Sequence, residues 1–269
     1  MSTDDLLDGL LVDLAAETDA LRAVVADLDP RTSGGGWATP TPAPGWTVAH
    51  QVAHLAWTDR AATLAATDKD AWDALVLGAL EDPDGFVDRG AEELAALPTA
   101  DLLATWDDGR ASLATALRSL PAGHKMPWFG PPMSAASMAT ARFMETWAHA
   151  LDVREGLGVP VEPTDRVRHV CHLGVRTRDF AYATHGLTPP TAPFHVELSS
   201  PSGERWTWGP DDATDQVHGS AWDLARLVTQ RVHRDDTDLV ATGDEAARWL
   251  GIAQCFAGPP GEGRASRRG

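Results

Sequence analysis

Apolar residues that recur every three or four positions predict a long first helix from Asp4 to Leu28. Such spacing places the apolar side chains on one face of an α-helix. The proline- and glycine-rich stretch "DPRTSGGGWATPTPAPGW" ends this helix. The apolar positions are Leu7, Leu10, Leu11, Leu14, Leu21, Val24, Val25 and Leu28.

The same periodicity predicts further helices up to residue 185. Thr47 is a suitable N-cap for the second, because its hydroxyl is able to accept a hydrogen bond from a first-turn amide. Ser134 similarly caps a helix that "GLGVP" stops. The predicted helices run from Thr47 to about Ala66, from "DPDG" through Ala96, from Thr99 or Asp101 to before Pro121, from Ser134 to "GLGVP", and from Asp165 to His185.

Beyond Pro193 the pattern changes to short segments that alternate at period two. "FHVELSS", "GERWTWG" and "DQVHGS" are separated by turn residues and predict strands. A helix from Ala221 to Val232, a strand "TDLVAT" and a helix from Asp244 to Phe256 follow. The fold class predicted is mainly α: a helical bundle over residues 1–187 and a small α+β domain over 188–258. Residues 259–269 form a tail that we expect to be disordered.

Composition narrows the class of protein. The 269 residues carry a formal net charge of −17, and such a surface repels phosphate backbones, so we expect no nucleic-acid partner. No apolar run reaches the roughly 20 residues of a membrane-spanning helix, and the acidic N-terminus does not resemble a secretory signal. The two cysteines, Cys171 and Cys255, have no CxxC spacing. These features favour a cytoplasmic protein without disulfides.

The stretch "FMETWAHALDV" places Glu145 four residues before His149. On a helix these side chains are neighbours, with Cβ atoms roughly 5–6 Å apart, so both are able to bind one ion. The alternative is a solvated surface pair, which is the commoner meaning of this spacing. A catalytic zinc usually takes three protein ligands, so a third must come from elsewhere. "GWTVAHQVAHLAW" offers His50 and His54, again four residues apart.

"PGWTVAHQVAHLAW", followed by "ARFMETWAHALDV", resembles the DinB-like, mycothiol-dependent maleylpyruvate isomerase family. That family joins a DinB-like four-helix metal-binding bundle to a small α+β C-terminal domain. Other stretches, including "HLGVRTRDFAYATHGLTPP" and "DLARLVTQRVHRDDTDLVATGD", are similar to a metal-binding subgroup of undefined reaction. The resemblance implies the metal ligands His54, Glu145 and His149. Their nitrogen and oxygen atoms should converge so that one ion lies about 2.0–2.2 Å from all three.

Other residues of the predicted site surround this triad or come from the C-terminal domain. His50 is interpreted as a pocket residue one turn before His54. Trp46 and Trp57 are candidates for the pocket wall, although tryptophans more often fill cores. The family also uses a C-terminal arginine, for which Arg231 is the catalytic candidate, with Arg226 and Arg234 as alternatives in another register. In "RHVCHLG", we assign His172 to the cleft and Cys171 to the core.

Three hypotheses about function follow. In the first, a zinc-dependent isomerase or thiol transferase uses mycothiol, whose thiolate adds to an electrophilic small molecule. In the second, the metal promotes hydrolysis, elimination or rearrangement without a thiol. In the third, the bundle binds a metal or ligand without catalysis. Two histidines and one carboxylate suit zinc, and also nickel, iron or manganese. We expect a monomer or a weak homodimer.

Overall fold

A computed structural model of the chain describes residues 3–29, 35–261 and 263–268. Contacts divide the chain into two compact units, residues 1–161 and 162–269. Part of the loop predicted after the first helix, residues 30–34, lies outside the described residues, as do residues 262 and 269 of the predicted tail.

The N-terminal unit is helical. Among the described residues it has four long helices, and two shorter ones follow the second long helix along the chain. The helices are α1 (Thr3–Val25), α2 (Val48–Thr67), α3 (Lys69–Glu81), α4 (Phe86–Ala95), α5 (Thr99–Ser119) and α6 (Ala135–Leu157).

The long helices form a four-helix bundle in which α2 contacts α5 and α6, and α1 contacts α6. Gln51 on α2 contacts His149 on α6, while Asp59 further along α2 contacts Arg142 earlier on α6. Residue numbers therefore rise along one helix as they fall along the other, so α2 and α6 run antiparallel.

Both ends of α6 are formed by the capping residues that the sequence predicted. The Ser134 hydroxyl accepts a hydrogen bond from the Ser137 backbone N–H at 3.2 Å, and this satisfies a first-turn amide. At the other end Gly158 adopts a φ of 67°, a left-handed conformation that glycine reaches without steric cost. The helix that carries Glu145 and His149 therefore begins and ends where its sequence indicates.

In the described part of the C-terminal unit, four strands form a sheet: β1 (Phe194–Ser199), β2 (Arg205–Trp208), β3 (Asp215–Ser220) and β4 (Val240–Thr242). Their order is β2-β1-β3-β4, in which β1 and β3 are parallel and the outer pairs are antiparallel. One face carries buried apolar side chains, among them Val196, Leu198 and Val217. The helices of this unit are α7 (Arg168–Arg176), α8 (Arg178–Thr184), α9 (Ala221–Val228) and α10 (Asp244–Ile252).

The fold class is confirmed, and the element boundaries differ from prediction in several places. Helix α3 was not predicted. The helix expected over 165–185 is divided at Thr177 into α7 and α8. Helix α9 stops before Gln230, whose φ of 59° is left-handed and incompatible with further helix. Because α7 packs on α9 and α8 on α10, residues 162–187 lie in the second unit, whereas the sequence placed the boundary at 187.

Two further observations bear on the predictions. Within the described part of the chain, no helix combines the length and apolar character that a membrane span requires. Between residues 259 and 268 the described segments have no helix or strand, and the Arg267 backbone N–H donates to Asp236 at 2.8 Å.

Candidate metal centre

A layer of buried polar side chains crosses the bundle between two apolar clusters. One cluster includes Leu55, Trp106 and Val153, and the other includes Leu113 and Met138. The residues of the layer all come from α2 and α6. They are Gln51, His54, Thr58, Asp59, Arg142, Thr146 and His149, with the less buried Glu145 beside them.

The structure brings His54, Glu145 and His149 together. One potential ligand atom from each lies within 4.8 Å of the others. The Nε2 atoms of His54 and His149 are 3.6 Å and 3.2 Å from the same carboxylate oxygen, Glu145 Oε2. Ligands about 2.1 Å from a tetrahedral ion are about 3.4 Å apart, so this spacing fits a zinc-type ion.

The electrostatics of the triad also suit a cation. Burial alone raises the pKa of Glu145, but hydrogen bonding and charge from His149 and His54 hold that pKa well below its usual range. Glu145 is therefore ionised at neutral pH. Among the described residues, the buried Nδ1 of His54 has no hydrogen-bond partner. An ionised carboxylate beside two imidazoles is a donor set that suits zinc and related divalent ions.

A buried ion pair lies next to the triad. Arg142 Nε donates to Asp59 Oδ1 at 2.9 Å, and both side chains are almost fully buried. Desolvation raises the pKa of Asp59, and Arg142 opposes that shift. The pair joins α2 to α6, the helices that supply all three candidate ligands.

Comparison with known proteins places this chain in a family. The family model for the mycothiol maleylpyruvate isomerase N-terminal domain matches residues 14–154, which include all three candidate ligands. The chain belongs to this mycothiol maleylpyruvate isomerase family. A second family model, wyosine base formation, matches residues 190–242, the segment that contains β1 to β4.

Comparison also finds relatives of this chain at two levels of similarity. The uncharacterized proteins Rv0036c and MT0041 of two Mycobacterium tuberculosis strains, H37Rv and CDC 1551, are each 55% identical over 254 residues, covering 94% of this chain and 97% of theirs. The crystal structure of the mycothiol-dependent maleylpyruvate isomerase has a TM-score of 0.58 and 18% identity, over 90% of this chain and 95% of that one. A histidine-to-alanine variant of that enzyme gives a TM-score of 0.59 at the same identity and coverage. At this identity the two structures show a shared fold.

The predicted pocket tryptophans of this family member lie beside the ligand rings. Trp46 stacks on His149, with ring centroids 5.9 Å apart and planes at 20°, and its centroid is 5.2 Å from that of His54. The indole N–H of Trp46 donates to Asp88 Oδ1 at 3.0 Å, which holds the ring in place. The ring centroid of Trp57 is 6.3 Å from that of His54.

His50 has a structural contact that its predicted pocket role did not include. Its Nδ1 accepts a hydrogen bond from the Thr47 backbone N–H at 3.3 Å and lies 2.8 Å from the Thr47 hydroxyl. His50 therefore helps to cap α2. Its ring remains 6.5 Å from Trp46, so a contribution to the pocket stays a prediction.

The C-terminal arginines differ in their contacts. Arg226 pairs with Asp223, and Arg234 donates to the Thr237 hydroxyl at 2.9 Å and to a backbone carbonyl at 2.6 Å. Arg231 Nη1 donates to the Thr229 carbonyl at 2.6 Å. Arg226 and Arg234, the alternative candidates, thus contact side chains of their own unit. The catalytic role of Arg231 stays a prediction.

His172 and Cys171 differ in environment, as expected for neighbours on α7. The Trp208 indole N–H donates to His172 Nδ1 at 3.2 Å. Desolvation, and then the charge of Arg176, lower the pKa of His172, so its ring is neutral at pH 7. Cys171 is buried, which confirms its assignment to the core. The place of His172 in the cleft stays a prediction.

The sequence did not predict the contacts of Gln51, of Asp88 or of the Asp59–Arg142 pair. Gln51 precedes His54 by three positions, and residues at this spacing lie on the same face of a helix. That spacing could have indicated that Gln51 lies near the site. Asp88 contacts Trp46, and Arg142 contacts Asp59, and in each pair the two residues lie far apart in the sequence. No local pattern in the sequence indicates such pairs.

Proposed function

We propose that this protein is an enzyme that holds a divalent metal, zinc in the first instance, on His54, Glu145 and His149, and uses mycothiol as a thiol cosubstrate. The substrate class is a small electrophile, and the reaction is an isomerisation or a thiol transfer. The observation that carries the proposal is the convergence of one carboxylate oxygen and two imidazole nitrogens at 3.2 Å and 3.6 Å. Membership of the mycothiol maleylpyruvate isomerase family supports the choice of thiol and reaction.

Each residue of the site has a chemical role in this proposal. A divalent ion in this set would supply Lewis acidity that favours the deprotonated form of a thiol. Glu145 supplies the negative charge that attracts the ion, and His54 and His149 supply neutral donors. The indole rings of Trp46 and Trp57, whose centroids lie 5.9 Å from that of His149 and 6.3 Å from that of His54, would form part of the pocket wall.

The thiol must come from outside the chain. Cys171 and Cys255, the two cysteines in the sequence, are both buried in the C-terminal unit. Burial raises the pKa of the Cys171 thiol, which makes it a poor nucleophile. Arg231 is our candidate for binding a carboxylate of the electrophile, because its planar guanidinium fork matches carboxylate geometry.

Metal binding is tested first. The full chain is purified without chelator, its metal content is measured by elemental analysis, and zinc is titrated into metal-free protein. We expect about one ion per chain, retained by His124→Ala, which changes an exposed loop histidine, and lost in His54→Ala and Glu145→Gln. Absence of binding in the unsubstituted chain would remove the metal from the proposal.

Catalysis is tested second, with maleylpyruvate and a panel of electrophiles, each with and without mycothiol. Turnover or conjugation that requires both metal and thiol supports the proposal. Equal turnover without any thiol would replace it with metal-assisted chemistry of another kind. Full metal occupancy without turnover of any substrate would instead favour a binding protein.

A further inference from the structure

A chain of three hydrogen bonds leads from a backbone carbonyl to the ring of His149. The Thr41 hydroxyl donates to the Trp46 carbonyl at 2.9 Å. The Gln51 amide nitrogen is 2.8 Å from the same hydroxyl oxygen, and the Gln51 amide oxygen contacts His149 Nδ1. Gln51 is fully buried, so water does not supply alternative partners.

The direction of each bond follows from the first. A carbonyl only accepts, so the Thr41 hydroxyl hydrogen points to Trp46, and its oxygen must accept from Gln51. The NH₂ group of Gln51 therefore faces Thr41, and its carbonyl oxygen faces His149. Since that oxygen also only accepts, His149 Nδ1 carries the hydrogen.

This assignment determines whether Nε2, the other ring nitrogen of His149, carries a hydrogen or a lone pair. A neutral imidazole with hydrogen on Nδ1 has a lone pair on Nε2. That lone pair lies 3.2 Å from the ionised Glu145 Oε2, which is also an acceptor. Two acceptors at this distance repel each other unless a positive charge lies between them, either a proton in the metal-free protein or a metal ion.

We infer that Gln51 is a positioning residue that holds His149 in the Nδ1–H form, so that Nε2 faces the metal. The inference rests on the proposed metal site and adds the residue that prepares one ligand for it. Metal-binding histidines commonly donate their second ring N–H to a carboxylate or carbonyl, and loss of that partner lowers metal affinity by about 10- to 100-fold. Here the partner is a neutral amide, so it adds no charge to the site.

The same chain of hydrogen bonds connects the metal ligand to the loop that covers it. The backbone N–H of Thr41 donates to the Trp46 carbonyl at 2.8 Å, and the Thr41 hydroxyl donates to the same carbonyl. The ring of Trp46 stacks on His149. Gln51 thus contacts both the ring of His149 and, through Thr41, the loop that carries Trp46.

The experiment compares Gln51→Leu, Gln51→Glu and Thr41→Val in the full-length chain, with Thr41→Ser as the matched control that keeps the hydroxyl. Zinc affinity is measured by competition with a chromophoric chelator, and circular dichroism checks folding. We expect Gln51→Leu to lose about 10- to 100-fold in affinity. Gln51→Glu should retain or increase affinity, because a carboxylate also accepts from Nδ1–H. Thr41→Val should lose affinity to a smaller extent, and Thr41→Ser should not.

A second readout reports the tautomer directly. In ¹H–¹⁵N spectra of the zinc-loaded chain, we expect His149 to show a protonated Nδ1 that Thr41→Ser preserves. Zinc binding by the unsubstituted chain with equal affinity in Gln51→Leu would overturn this inference and leave the metal site intact. Failure of the unsubstituted chain to bind zinc would instead overturn the proposed function. If Gln51→Leu does not fold, the zinc affinities of Thr41→Val and Thr41→Ser are compared instead. Equal zinc affinities of these two variants would overturn the inference.

Discussion

Replacing Arg142 by methionine should strongly destabilise the bundle. Arg142 and Asp59 are 1% and 4% exposed, with Nε and Oδ1 2.9 Å apart. At an effective dielectric constant of 20, two unit charges at that distance attract by about 6 kcal/mol, most of which offsets the cost of taking both out of water. Methionine removes the attraction and leaves the carboxylate buried, so we expect a loss of about 3–5 kcal/mol in the free energy of unfolding.

The pH dependence of this loss has a definite sign. Burial already raises the pKa of Asp59, and removing Arg142 takes away the group that lowers it. An acid whose pKa is higher in the folded than in the unfolded state favours folding while it is protonated, and this contribution is lost as the pH rises through the folded pKa. The destabilisation by Arg142→Met should therefore be larger at pH 8 than at pH 5.

Denaturant unfolding, followed by the helical circular dichroism signal, measures both effects. Arg118→Met is the control, because Arg118 pairs with Asp8 at 2.9 Å while both are largely exposed, and such pairs contribute about 0–1 kcal/mol. The double variant Asp59→Leu/Arg142→Met should recover most of the stability, since it removes both charges of the pair and leaves neither without its partner. A loss below about 1 kcal/mol in Arg142→Met, independent of pH, would refute this reasoning.

Two other predictions concern packing and thiol reactivity. A methyl group on Gly90 would lie 2.6 Å from the Trp57 indole nitrogen, so Gly90→Ala should destabilise the chain by about 1–3 kcal/mol in thermal unfolding, whereas Gly9→Ala, in an open helical position, should stabilise it slightly. A result in which both variants unfold at the same temperature would contradict the predicted clash. Cys171 and Cys255 are buried, so neither should react with a thiol reagent until denaturant unfolds the chain; rapid labelling of the native protein would contradict this assignment.

Local chemistry explains which helices the sequence predicted. The ends of α6 depend on Ser134 and Gly158, whose capping preferences come from their own side chains and backbone freedom. Helix α3 was missed because Asp68 caps it immediately after α2, with no proline or glycine to mark a boundary. The break at Thr177 also lacks such a marker, and its hydroxyl donates to the carbonyl of Leu173 four residues earlier.

Contacts between helices explain which part of the site was predictable. Glu145 and His149 lie on one helix, so their spacing alone places them together. The link to His54 came from the resemblance to a family, because the spacing within α2 favours His50 and His54 equally. Gln51 reaches His149 only because α2 and α6 pack antiparallel in one particular rotation, and this rotation is set by the two apolar clusters as a whole.

The charge of the polar layer connects its stability to its proposed chemistry. Arg142 and Asp59 cancel each other, and Glu145 leaves the layer at −1 when both imidazoles are neutral. One divalent ion changes this to +1, so the layer then favours one further negative charge, such as a thiolate. Because separated charges are costly in a buried layer, the ion and an anionic cosubstrate should each stabilise the binding of the other. Zinc affinity should therefore rise when thiol is present, and an affinity that is independent of thiol would contradict this coupling.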